Sequence, residues 1–134
     1  MIIKTEQELE SLGARLAQQY PKGGVILLKG ELGAGKTTLV RGALRSLGHK
    51  SSVKSTTYTI VETYELPDRT IQHFDLYRLA NGAELQAMGF RDYLADNNLI
   101  FIEWPEKALG FLPKADCEVH IKYHPQGRTV EINA

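Results

Sequence analysis

Residues 30–37 read Gly30-Glu31-Leu32-Gly33-Ala34-Gly35-Lys36-Thr37, directly after the apolar run Val25-Ile26-Leu27-Leu28. A loop this rich in glycine buries little; its use is to turn successive backbone N–H groups toward one point, and the partner that suits converging N–H groups is an anion. Beyond it Leu39, Val40, Ala43, Leu44 and Leu47 recur at helical spacing up to Gly48, a natural C-terminal stop. The order is therefore strand, glycine loop, helix, and a helix opening near Lys36 aims the positive end of its dipole at the same point. That context predicts a phosphate cradle. The backbone of Gly33, Ala34 and Gly35 wraps the phosphates, Lys36 adds charge at the β and γ positions, Thr37 offers a hydroxyl to Mg2+, and Thr38 donates to a phosphate oxygen.

The rest of the chain is read around this unit. Its 134 residues, 43% hydrophobic, are enough for one core, so residues 1–134 are taken as a single domain. Thr5 and Glu8 have capping-box spacing ahead of Leu9, Leu12, Leu16 and Tyr20, which predicts a first helix ended by Pro21 and Gly23-Gly24. Residues 58–66 and 71–77 read as two strands joined by the turn Pro67-Asp68-Arg69. A short helix from Asn81-Gly82, a further helical turn around Phe90 and Tyr93, and a strand over residues 99–102 follow. Alternation through Cys117, Val119, Ile121 and Tyr123, the turn Pro125-Gln126-Gly127 and the return through Val130 and Ile132 predict a terminal hairpin. The fold class is α/β: one P-loop NTPase domain, with a mixed, partly parallel sheet flanked by helices and added antiparallel hairpins.

A P-loop needs an acidic residue at the end of a neighbouring strand to complete the Mg2+ shell. Glu103 follows the better apolar run, Leu99-Ile100-Phe101-Ile102, and is assigned to the metal with Thr37. Asp75 follows Ile71-Gln72-His73-Phe74, which reads as a strand with one wetter face, and is assigned to orienting the attacking water or a metal-bound one. Lys36, Asp75 and Glu103 are the catalytic set. His73 is read as a packed strand histidine before a catalytic one, Arg78 as a salt-bridge partner before a charge offered to the transition state, and Trp104 as packed near the nucleotide or in the core. Lys54-Ser55-Thr56-Thr57-Tyr58-Thr59 is either a segment responsive to the γ phosphate or a plain polar loop.

Composition narrows the surroundings. Sixteen basic and 16 acidic side chains cancel, so overall charge does not draw the chain to nucleic acid or anionic lipid. The one cysteine, Cys117, sits in an apolar alternating run and reads as a buried thiol. No apolar run approaches the length of a spanning helix and no leader pattern opens the chain, so a soluble, cytoplasmic protein is expected.

With these pieces in order, the sequence closely resembles the TsaE (YjeE) family of bacterial ATPases required for the threonylcarbamoyladenosine modification of tRNA. The resemblance runs through residues 30–42, Val53-Lys54-Ser55, His73-Phe74-Asp75-Leu76-Tyr77-Arg78-Leu79 and Ile102-Glu103-Trp104-Pro105-Glu106. It implies binding of ATP and Mg2+, slow hydrolysis by the chain alone, and action with TsaB-like and TsaD-like partners that carry out the transfer to tRNA, any tRNA contact being indirect or shared with them. It also implies Thr37 and Glu103 at Mg2+, Asp75 in hydrolysis, and Trp104 beside the nucleotide. Thr56 stands where the family usually has proline, which frees the backbone there. The residues alone leave a small-molecule or nucleotide kinase and a non-hydrolytic assembly switch as alternatives.

Overall fold

The computed structural model describes residues 1–50, 53, 60–95 and 97–134. The Thr5 side chain accepts from the Glu8 N–H at 3.1 Å and starts helix α1, Glu6–Gln19, as the capping spacing predicts. Its far end is closed from outside. Arg69, from the β-turn region, donates to the carbonyls of Ala17 and Tyr20, which the helix leaves without internal partners. Helix α2, Lys36–Ser46, packs on α1 at two glycines. A Cβ built on Gly13 would stand 1.9 Å from the Leu39 carbonyl oxygen, and one on Gly42 would stand 2.0 Å from that of Glu10. Glycine here sets how closely two backbones approach.

The strands are β1 (Ile2–Ile3), β2 (Gly24–Lys29), β3 (Val61–Glu65), β4 (Thr70–Asp75), β5 (Asn98–Glu103), β6 (Cys117–His124) and β7 (Gly127–Asn133), with a six-residue helix α3, Gly82–Ala87, before β5. They form one sheet in the order β1-β7-β6-β2-β5-β4-β3. β6, β2, β5 and β4 run parallel at its centre, and the outer pairs are antiparallel. The predicted α/β class, with a partly parallel sheet and added hairpins, holds. The two residues of β1 were not foreseen, because so short a strand has no period to detect.

Alternation divides the core. Ile26, Leu28, Ile71, Leu99 and Phe101 pack beneath α1 and α2, whereas Leu27, Phe74, Ile100 and Ile102 pack on the other side with α3 and Phe90. By that parity His73, Asp75 and Glu103 face the α2 side. The wetter face expected of β4 is not found: Ile71, Gln72, His73 and Phe74 are all buried. Its two polar members are buried with partners, Gln72 with Thr63 and His73 with Glu103.

Candidate functional site

At the carboxyl ends of the parallel strands, Leu28 pairs with Glu103 and Glu103 with Asp75, so one row of the sheet delivers both carboxylates beside the loop that leaves β2. This is the crevice where open α/β sheets bind ligands. The loop turns through Gly30, Gly33 and Gly35, with φ of 156°, 77° and 119°. At Gly33 and Gly35 the backbone is left-handed, a conformation that a side chain disfavours. Helix α2 then opens with no side-chain cap, leaving its first N–H groups directed at the cleft.

Lys36 is 4% exposed, and its Nζ donates to the Gly30 carbonyl while lying 3.9 Å from the centroid of the Trp104 ring. Burial holds the ammonium below the usual lysine range, and the carboxylates of Glu103, Asp75 and Glu106 pull it the other way. The Thr37 hydroxyl donates to Glu103 Oε2 at 3.3 Å. The same oxygen bonds His73 Nε2 at 2.5 Å, with His73 fully buried and Glu103 4% exposed. Asp75 is less enclosed, and its Oδ1 accepts from the Tyr77 N–H at 3.1 Å.

Lys36, Thr37, Thr38, Asp75, Glu103 and Trp104 thus line one cleft with Gly33 and Gly35. The residues assigned from sequence come together there, except Ala34, which lines the neighbouring cleft. Trp104 lies over Lys36 and against Tyr77, ring centroids 4.9 Å apart. Its backbone is left-handed, φ 58° and ψ 50°, which costs a non-glycine residue about 1–2 kcal/mol and turns the chain sharply out of β5. His73 is packed, as read, but its bond to Glu103 was not foreseen. The segment 54–59 lies outside the described residues.

A second cleft continues on the other side of the loop, lined by Thr5, Leu9, Gly35, Thr38 and Arg128 among others. Sequence reasoning missed Tyr123 and Arg128. The Tyr123 hydroxyl donates to the Leu32 carbonyl at 2.6 Å, and Arg128 donates to those of Ala34 at 2.8 Å and Gly33 at 3.3 Å. Only their alternation on a hairpin was visible in the sequence.

The donor set fits a phosphate with a hard dication: an uncapped helix start, an ammonium, a hydroxyl and two carboxylates. Among the described residues no three His, Cys, Asp or Glu side chains cluster as metal ligands, so a dication here must draw most of its shell from phosphate and water. No helix among the described residues is long and apolar enough to cross a membrane.

A parallel β2–glycine loop–α2 unit with acidic residues closing the neighbouring strands defines a P-loop protein. The model of the family described as "Threonylcarbamoyl adenosine biosynthesis protein TsaE" matches residues 3–130, and the chain belongs to that family. The Haemophilus influenzae tRNA threonylcarbamoyladenosine biosynthesis protein TsaE is 50% identical over 113 residues, covering 84% of this chain and 72% of that protein. The Borreliella burgdorferi protein of the same name is 33% identical over 132 residues, covering 97% and 96%. Among solved structures, Bacillus subtilis YdiB superposes with a TM-score of 0.75 at 26% identity, covering 94% of this chain and 78% of that one.

Proposed function

We propose that the chain is a Mg2+-dependent ATPase that hydrolyses ATP slowly by itself and, in the cytoplasm, acts on TsaB-like and TsaD-like partners during the threonylcarbamoyladenosine modification of tRNA. The observation that carries the ATPase reading is the pairing of Asp75 with Glu103 on adjacent parallel strands, with the Thr37 hydroxyl on Glu103. Family membership supports the pathway.

The chemistry divides among the chain's own groups. The amides of the loop and the start of α2 receive the phosphates, and Lys36 leaves the Gly30 carbonyl to meet the β and γ oxygens. Thr37 and Glu103 would hold Mg2+, which when bound would supply positive charge to the transferred phosphoryl group. Asp75, which lines the cleft, orients the attacking water. Trp104 covers Lys36 and keeps water from its flank. The second cleft beyond Thr38, beside Thr5 and Leu9, would take the base and ribose. Among the described residues between β4 and β5 there are one six-residue helix and a 3-10 turn, a small provision for the lid of a kinase.

The test is phosphate release from ATP with and without Mg2+, then with TsaB-like and TsaD-like proteins and tRNA added singly and together. Slow Mg2+-dependent release that rises with the partners is expected. No stimulation in any combination would remove the partner role, and transfer of phosphate to an acceptor would make the chain a kinase.

A further inference from the structure

The terminal hairpin stands behind the phosphate loop along its whole outer side. Where the loop begins, a Cβ on Gly30 would lie 2.6 Å from the Ile121 carbonyl oxygen of β6, and one on Gly33 would lie 2.8 Å from the Tyr123 hydroxyl. Three consecutive loop carbonyls, those of Leu32, Gly33 and Ala34, accept hydrogen bonds from Tyr123 or Arg128. The two donors brace each other, the Arg128 Cζ lying 4.4 Å over the Tyr123 ring. Among the described residues the Arg128 guanidinium bonds backbone carbonyls alone, its remaining bond going to Gly127 at 2.9 Å.

A trans peptide is planar, and its C=O and N–H point in opposite directions. Drawing the Leu32 carbonyl outward therefore turns the Gly33 N–H inward, and drawing the Ala34 carbonyl outward does the same for the Gly35 N–H. The amide between them, Ala34 N–H, closes a turn on the Glu31 carbonyl at 3.0 Å and needs no such help. Gly33 and Gly35 are the two loop residues with left-handed backbone, and glycine left to itself spreads over many conformations. Water would satisfy these outward carbonyls equally well in an open loop. What a fixed donor adds is direction, set before any anion arrives.

We propose that Tyr123 and Arg128 are positioning residues that aim the Gly33 and Gly35 amides at the bound phosphates from the outside of the loop. The inference rests on the P-loop reading given above, and it assigns to the terminal hairpin a part in phosphate affinity.

The experiment titrates inorganic pyrophosphate and ADP by calorimetry into the wild-type chain, Tyr123→Phe, Arg128→Gln and the double variant. Each single change is expected to weaken both probes by the same factor, about 3- to 10-fold, the equivalent of one directed hydrogen bond. The double variant should lose less than the product of the two factors, since both side chains act on one loop. In the unliganded protein the Gly33 and Gly35 amide resonances should move in both single variants, while the urea midpoint stays near that of the wild type. Wild-type pyrophosphate affinity in the two variants overturns the proposal, whatever their melting behaviour. So does a loss confined to ADP, which would put both side chains at the base or ribose instead. A wild-type chain that binds neither probe is a different result: it removes the nucleotide reading itself, and this inference with it.

Discussion

Glu103 shows how much of the cleft hangs on one oxygen. Its Oε2 takes both the Thr37 hydroxyl and His73 Nε2, in a setting where a carboxylate without partners is costly. Replacing His73 with alanine leaves Thr37 as the remaining side-chain partner recorded for that oxygen. The variant should lose about 1–3 kcal/mol of stability in urea unfolding. It should also require roughly tenfold more Mg2+ for nucleotide binding, because an unheld carboxylate points at a metal less well. A His73→Ala chain matching the wild type in both titrations would make the contact incidental. The position of both carboxylates at strand ends was legible in the sequence, Glu103 after an apolar run and Asp75 after a strand read with one wetter face. The His73 contact was not, because it joins neighbouring strands diagonally and depends on a register, His73 against Phe101, that no local pattern reveals. Tyr123 and Arg128 escaped for a similar reason, lying more than ninety positions from the carbonyls they hold.

Among elements, the helices α1 and α2 carry the geometry of their contact through to the site. The two helices meet at Gly13 and Gly42, and a Cβ on Gly35 would stand 2.4 Å from Leu9 of α1. Gly42→Ala would push its new methyl into the Glu10 backbone, which a flexible side chain could evade but a helix carbonyl cannot. A loss of about 3 kcal/mol in urea unfolding is expected, at the upper end for overpacking. A loss under about 0.5 kcal/mol, the range of an ordinary surface change, would show that the helices separate freely. Both helices were readable from their apolar stripes. Their crossing was not, since a glycine on a helix face looks like a weak helix former until the neighbouring backbone is placed against it. The polar residues of β4 misled for the opposite reason: Gln72 and His73 look wet in a sequence, but each is buried against a partner brought by another strand.

For the molecule as a whole, the sheet's order makes β2 and β6 central, and Cys117 at the start of β6 is 1% exposed. Burial pushes its thiol above the usual range, while a hydrogen bond with Tyr20 pulls slightly the other way. A raised pKa means less thiolate at any pH below it, and the thiolate is the reactive form. Alkylation by iodoacetamide at pH 8 should therefore be slow in the native protein and should follow the unfolding curve as urea is added. Rapid labelling of the native chain would mean that the centre of the sheet opens locally. The parallel core and the terminal hairpin were legible from apolar runs, alternation and turn residues. Strand order was not, because it is decided by which crossovers pack and not by any strand's own residues.

Trp104 has a practical consequence of a different kind. It is the chain's one tryptophan, and it stands over the lysine of the phosphate loop with Tyr77 beside it. Light absorbed by the indole is therefore emitted from the cleft and from nowhere else in the chain. Were Lys36 to turn from the ring toward a phosphate, as proposed, a positive charge would leave the face of the only such chromophore present. The unlabelled protein carries its own optical gauge of occupancy.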